Sequence, residues 1–214
     1  MKKLLILSIA LFTFSFAQAQ KIGLKAGINY SNIAGDLTDE ANNEGKIGFV
    51  GGIGTSIPLV GDGFLSLAPE LLYSQKGYQY RDDEYMIGNN TIKREGSRTF
   101  NYLDLPVLLK VNAGGLFFEG GPLASYLLSV NDKTKESINN MESNSYTELN
   151  KDGLTKFELG YAAGLGYMTE GGLSLGIRYN GSFNKLANDY NGNDLMNARH
   201  SLFQATVGFM VGGN

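Results

Sequence analysis

The chain contains 214 residues with a formal net charge of −3, and 29 of its residues are glycine. It has no cysteine, which excludes disulfide bonds and thiolate metal sites, and it has no basic patch of the kind that binds nucleic acid. The glycines follow no collagen period and form no low-complexity tract, so the fold has to explain their number.

The N-terminal segment, residues 1–19, has the layout of a secretory signal peptide. Two lysines precede an apolar run over residues 4–16, and Ala17-Gln18-Ala19 follows it, so we expect export and cleavage after Ala19. The run is shorter than the about 20 apolar residues that a membrane helix needs, and no later stretch comes close. Residues 20–214 are then one domain, which can enter a membrane only through strands.

Period-two alternation of apolar and polar residues, which is typical of strands, recurs along the chain with almost no helical periodicity. In each segment one face is continuously apolar, while the other carries Gly, polar and charged side chains. The clearest example is a hairpin around Gly114-Gly115. In chain order, the predicted strands cover residues 21–33, 46–57, 64–77, 102–111, 116–130, 157–167, 173–180 and 203–211.

The connections between these strands alternate between long and short. In bacterial outer-membrane barrels the long loops lie outside and the short turns in the periplasm, and a closed barrel leaves no strand edge for lipid to solvate. The sequence therefore predicts an all-β fold, an eight-stranded antiparallel up-and-down transmembrane β-barrel with long external loops and short periplasmic turns. The long loops cover about 34–45, 78–98, 131–155 and 185–198, and the turns 58–63, 112–115 and 169–171.

The apolar rows are expected to face lipid and most of the glycines to face the lumen. An eight-stranded barrel is barely wide enough for its own side chains, and inward glycines make room for the larger ones. Aromatic residues cluster at strand ends, as interfacial girdles do. They are Tyr30, Tyr73, Phe100, Tyr179 and Phe203 toward the loops, and Phe64, Phe118, Tyr167 and Phe209 toward the turns.

Pro69, Pro106 and Pro122 lie inside predicted strands. Proline cannot donate a hydrogen bond to the strand ladder, and a closed barrel has no free edge to place it on. We therefore expect bulges or local kinks at these three positions.

Four segments resemble the PorT-like, porin-family outer membrane protein β-barrel domain: KIGLKAGINYSNIAG, NYLDLPVLLKV, GPLASYLL and FELGYAAGLGY. The resemblance covers essentially the whole mature chain and marks no active site. It implies an eight-stranded outer-membrane barrel; members mostly lack an assigned activity, and one branch is tied to a protein-secretion apparatus. The sequence ends VGGN, where such barrels commonly end in an aromatic residue, so we expect the barrel-assembly machinery to recognise Phe209 instead.

Charged residues on the inward faces form the candidate site. Folding the hairpin about Gly114-Gly115 places Lys110 opposite Glu119, which predicts a cross-strand ion pair. The cluster is either a salt-bridged plug that satisfies buried charge or a selectivity path for small ions, and the narrow lumen favours the plug. Its members are Lys25, Glu70, Asp104, Lys110, Glu119, Glu158 and Arg178.

His200 is the only histidine and so the only candidate for histidine-based catalysis. Its neighbour Ser201 points to the opposite face of the strand and cannot be the nucleophile that His200 activates, so we expect His200 at the barrel rim. Residues 189–193 spell Asp-x-Asn-x-Asn, a faint likeness to a calcium loop, but Asp194 stands where that loop needs Gly. We expect no enzyme activity, metal or cofactor.

Three functional hypotheses remain open. The first is a structural or surface-exposed barrel, or a very narrow pore, whose loops lie beside outer-membrane lipid and lipopolysaccharide. The second is a barrel subunit of a secretion or uptake complex, with loops 78–98 and 131–155 as the contact surface. The third is a soluble lipocalin-like binding barrel, which would turn the apolar rows inward and coat its outside with the Gly-rich face.

Overall fold

The computed structural model describes residues 21–35, 43–61, 63–81, 85–87, 90–138, 141–187 and 197–212. The expected signal peptide and the calcium-like segment at 189–193 lie outside these residues, so both stay predictions. In the described part of the chain, no helix has the length and apolarity needed to cross a membrane.

The described residues form ten antiparallel strands, and eight of them close a ring. They are β1 (Lys21–Ala34), β2 (Asn43–Pro58), β3 (Leu65–Arg81), β4 (Tyr85–Ile87), β5 (Asn90–Ala113), β6 (Leu116–Ile138), β7 (Met141–Leu149), β8 (Phe157–Met168), β9 (Leu173–Ser182) and β10 (Arg199–Val211). Around the ring the order is β5, β3, β2, β1, β10, β9, β8 and β6, and pairing of β6 with β5 closes it. The predicted eight-stranded antiparallel barrel is confirmed.

Short turns join the ring strands at one end of the barrel, which we call the turn end; the opposite end is the loop end. The tightest turn joins β5 to β6 through Gly114 and Gly115, whose φ angles are +60° and +91°. A two-residue hairpin of type I′ requires positive φ at both positions, which only glycine adopts without strain.

The apolar rows face away from the barrel axis. Leu24 on β1 is 69% exposed and Ile177 on β9 is 61% exposed, whereas Asn29 and Arg178 on the same strands are buried. The hypothesis of a soluble lipocalin-like barrel is therefore wrong, because such a barrel would leave this apolar belt in water instead of burying it. In a membrane, the same belt meets hydrocarbon.

Two of the predicted long loops consist largely of strand. β3 continues to Arg81, which pairs with Glu95 of β5, and β6 continues to Ile138 with β7 as its hairpin partner. The prediction of loops over 78–98 and 131–155 is wrong because it equated charge with irregular structure. Antiparallel strands with water at their faces still pair through the backbone and need no apolar alternation. We call the parts of β3, β5 and β6 beyond the ring, together with β4 and β7, the protruding sheet.

The three prolines do not shift the strand register. β2 pairs with β3 in the same register on both sides of Pro69, and β5 pairs with β6 in the same register on both sides of Pro106 and Pro122. The prediction of bulges at these described positions is wrong because proline removes one donor but keeps a φ that a strand accepts. The register shifts of these two strand pairs lie between Gly45 and Val50 and between Asn101 and Tyr102.

Candidate functional site: the barrel interior

A layer of charged side chains crosses the barrel nearer its turn end. Arg178 on β9 donates from Nη1 to Oε2 of Glu70 on β3 over 2.9 Å, and from Nη2 to Oε1 of Glu119 on β6 over 2.6 Å. Lys25 on β1 also donates to Glu70. Because β3 and β9 are opposite each other in the ring, this charge layer spans the lumen. Each of these four side chains has a partner of opposite charge, as buried charges require.

Lys110 lies in the same layer but not in the ion pair predicted for it. The register of Lys110 opposite Glu119 is confirmed, yet the Lys110 ammonium lies 3.5 Å from the centre of the Phe117 ring. Glu119 instead accepts from both Nε and Nη2 of Arg178, at 2.8 Å and 2.6 Å. The predicted contact is wrong because the planar guanidinium offers two aligned donors, whereas an ammonium offers a single point charge.

A second polar cluster lies nearer the loop end and is centred on Glu158. The Tyr102 hydroxyl donates to Glu158, and Nδ1 of His200 lies 3.2 Å from its other oxygen. The His200 ring packs edge-on against Phe100 and Tyr102, with ring centres 5.2 Å and 5.4 Å away. The expectation of His200 at the rim and Phe100 in the girdle is wrong. Both side chains point into the barrel and are buried, because β10 begins at Arg199 and β5 begins at Asn90, before the predicted strand starts.

Lys76 is a buried cation that the candidate cluster did not include. Its Nζ lies 2.9 Å from Oδ1 of Asp104 and 3.1 Å from Oγ of Ser125, and both charged side chains are buried. Strand alternation places Lys76 inward, so the signal was present in the sequence. What the sequence could not show is that Asp104 would take Lys76 as its partner, since the two are not register partners across β3 and β5.

An apolar cap of described residues lies at the mouth of the barrel, above the Glu158 cluster. Residues that follow β7 and β9 fold inward, where Leu154 bridges to Ala187 and the Thr155 amide donates to the Leu186 carbonyl over 2.8 Å. These side chains join one buried core with inward residues of the barrel wall. The sequence predicts polar loops for both segments, because their apolar residues are isolated and show no alternation. The capping core comprises Ile33, Tyr78, Phe100, Tyr102, Leu127, Val130, Leu154, Leu186, Ala187 and Ala198.

Two small cavities lie against the described side chains of these clusters. A cavity of about 20 Å³ lies against Glu70, Glu119 and Lys110, and one of about 10 Å³ lies against Glu158 and His200. A single water needs about 10–15 Å³, so each holds one or two waters at most. Among the described residues, no group of three or more His, Cys, Asp or Glu side chains could hold a metal ion.

An antiparallel ring with an apolar outer belt and a filled, charge-paired interior defines an integral membrane β-barrel. The chain belongs to the family described as outer membrane protein β-barrel domain, whose sequence model matches residues 16–188. It is an outer-membrane β-barrel protein. No protein with a curated description matches the chain significantly.

The fold is similar to several solved outer-membrane structures at low sequence identity. For Ail, the attachment invasion locus protein of Yersinia pestis, the identity is 13% and the TM-score 0.46, covering 91% of this chain and 100% of that one. For Neisserial surface protein A the sequence identity is 14% and the TM-score is 0.40, and the match covers 88% of this chain and 96% of that one. For the translocator domain of the autotransporter NalP from Neisseria meningitidis the sequence identity is 12% and the TM-score is 0.30, and the match covers 97% of this chain and 95% of that one.

Proposed function

We propose that the protein is a non-enzymatic, surface-exposed structural barrel of the outer membrane whose lumen is closed to solutes. The observation that carries this proposal is the pair of barriers inside the barrel, namely the charge layer held by Arg178 and the apolar cap around Leu154. An ion path would need its lining charges to face water, whereas Glu70 and Glu119 are paired with Arg178 at 2.6–2.9 Å.

The surroundings of His200 support the non-enzymatic part of the proposal. Its Nδ1 faces Glu158, and the hydroxyl of Ser201 lies instead 3.0 Å from the Tyr179 hydroxyl, on the other face of β10. A triad needs a nucleophile within hydrogen-bond reach of the histidine and open to substrate. Hydrolase or acyltransferase turnover on phospholipid or lipid A that is abolished by His200→Ala would contradict this proposal.

Planar-bilayer recording of the refolded barrel tests the closed lumen. We expect the bilayer to stay at its baseline current, because both barriers remain in place in the wild-type protein. Discrete conductance steps that require the folded protein, and that are absent when heat-denatured protein is added, would identify a narrow pore and overturn the proposal.

Export is the second part of the proposal. We infer that residues 1–19 are removed as a signal peptide and that the loop end faces the cell exterior, because the long connections and the polar protruding sheet lie at that end. The intact mass of protein purified from the outer membrane should correspond to a chain that begins at Gln20. A mass that retains the first 19 residues would contradict it.

A second candidate is a PorT-like role as a barrel subunit of a secretion or uptake complex. The protruding sheet favours it, since β7 pairs only with β6 among the described strands and residues 143–148 on it are exposed. Affinity purification from mild detergent extracts, compared with a variant in which Ser143 to Glu148 are replaced by Gly and Ser, tests it. One outer-membrane or periplasmic partner that is lost only from the variant would support this candidate.

A further inference from the structure

A hollow of about 330 Å³ opens near the loop end, between the ends of β8, β9 and β10. We call it the girdle hollow, and the residues that matter in it are Tyr161, Tyr179, Lys185, Arg199 and Ser201. Its volume falls at the lower end of the range of known ligand pockets. Besides the buried His200, the described residues that line it include the cations Lys185 and Arg199 and no carboxylate.

Aromatic side chains place this hollow at the edge of the apolar belt. Four rings form a continuous row along the outside of the barrel, with centres 5.3 Å apart from Phe183 to Tyr161, 6.0 Å from Tyr161 to Tyr179, and 5.3 Å from Tyr179 to Phe203. Amphipathic rings of this kind lie at the level of the lipid head groups. The girdle hollow therefore lies where head groups meet water.

The two cations of the hollow are exposed and available to a ligand. Lys185 Nζ lies 3.2 Å from Oδ1 of Asn197, which holds it at the rim. Arg199 alternates along β10 with buried His200 and so points outward, and it has no partner among the described residues. The hydroxyls of Tyr179 and Ser201, 3.0 Å apart, add donors in the same hollow.

We propose that the girdle hollow binds the phosphorylated head group of an anionic lipid in the surrounding leaflet. Arg199 supplies a planar guanidinium that matches a phosphate with two parallel hydrogen bonds, and Lys185 adds a second positive charge. The acyl chains of the lipid lie along the outward apolar rows of β8 and β9, which include Leu159 and Ile177. This inference depends on the membrane location of the barrel and is independent of whether the lumen conducts.

A lipid-binding titration of the intact barrel tests the proposal. The barrel is refolded in a neutral detergent and titrated with fluorescent lipid A in its phosphorylated and dephosphorylated forms, with inorganic phosphate as a competitor. The test variant is Lys185→Ala/Arg199→Ala. The matched control is Lys133→Ala/Lys135→Ala, which removes the same charge from the protruding sheet. The gel shift between heated and unheated samples verifies that each variant is folded.

We expect saturable binding of phosphorylated lipid A and weaker binding of the dephosphorylated form. Each cation should raise the affinity for the phosphorylated lipid about fivefold, so the test variant should bind it roughly 25-fold more weakly. The affinity of the control variant should stay close to that of the wild type. Equal losses in both variants would show attraction by overall charge and overturn the proposal. Equal binding of the two lipid forms, or full displacement by millimolar inorganic phosphate, would overturn it as well.

Discussion

Glu70 and Arg178 join opposite walls of the barrel through two hydrogen bonds, Nη1 to Oε2 over 2.9 Å and Nη2 to Oε1 over 3.1 Å. Four strand-to-strand steps separate β3 from β9 in either direction around the eight-membered ring. The pair is therefore a strut across the narrow lumen, and Glu119 and Lys25 complete its charge balance.

Removing the guanidinium should strongly destabilise the barrel. Arg178→Ala leaves Glu119 buried without its partner and Glu70 with Lys25 alone, and breaking a buried pair in this way costs about 3–5 kcal/mol. Arg178→Met/Glu119→Gln removes the guanidinium together with the one carboxylate that it would leave unpaired, and keeps the volume, so its loss should be much smaller. Urea unfolding from lipid vesicles measures both. Equal free energies of unfolding for the two variants would show that an unpaired Glu119 costs nothing measurable and would contradict the role of charge pairing in this layer.

The sequence predicted which way these side chains point but not which partners they take. Strand alternation alone places Lys110, Glu119 and Arg178 in the lumen. Partner choice depends on the curvature of the closed ring, which brings β9 close to both β3 and β6, and a pairwise hairpin argument contains no such information. Glu119 therefore pairs with Arg178, which lies 59 positions further along the chain, and not with Lys110.

The sequence also did not predict how far each strand extends along the barrel axis. Hydrophobic alternation predicts His200 and Phe100 near the rim, because the predicted strands end close to both residues. Backbone pairing continues through polar segments such as 90–98, and the cap around Leu154 and Leu186 adds a further layer above. Hydrophobic alternation appears only where the two faces of a strand have different surroundings. Outside the membrane both faces meet water, so alternation does not predict the strand there.

The Tyr102 hydroxyl should stabilise the barrel through Glu158. Tyr102→Phe leaves one carboxylate oxygen of a buried group without its donor, which costs about 1–3 kcal/mol. Tyr126→Phe is the control, because that side chain is half exposed on the outer face and substitutions at such sites change stability by about 0.5 kcal/mol or less. Vesicle unfolding in urea compares the two, and similar losses would argue against a donor role for Tyr102.

Inward glycines set how closely neighbouring strands approach. A Cβ at Gly27 would lie 2.0 Å from the Ala205 carbonyl oxygen, which is backbone and cannot rotate away, whereas a Cβ at Gly61 would meet no atom within 4 Å. Gly27→Ala should therefore cost about 1–3 kcal/mol through overpacking, and Gly61→Ala should be close to neutral. The fraction of each variant that refolds into vesicles and its urea midpoint give the comparison. A neutral Gly27→Ala would mean that β1 and β10 can move apart freely.

The cap and the charge layer are separate barriers, so opening the lumen should require removing both. Leu154→Ala/Leu186→Ala shortens two buried side chains of the cap and should cost about 2–5 kcal/mol per residue, yet the charge layer still blocks the path. Arg178→Ala alone leaves the cap in place. We expect each of these two variants to give baseline current in planar bilayers, and their combination to give discrete current steps because neither barrier then blocks the path. Gel mobility before and after heating identifies the folded fraction that is added to the bilayer.

Current steps from Arg178→Ala alone would show that the charge layer is the barrier that matters and that the cap does not block the path. Baseline current from the folded triple variant would show that other side chains fill the lumen on their own.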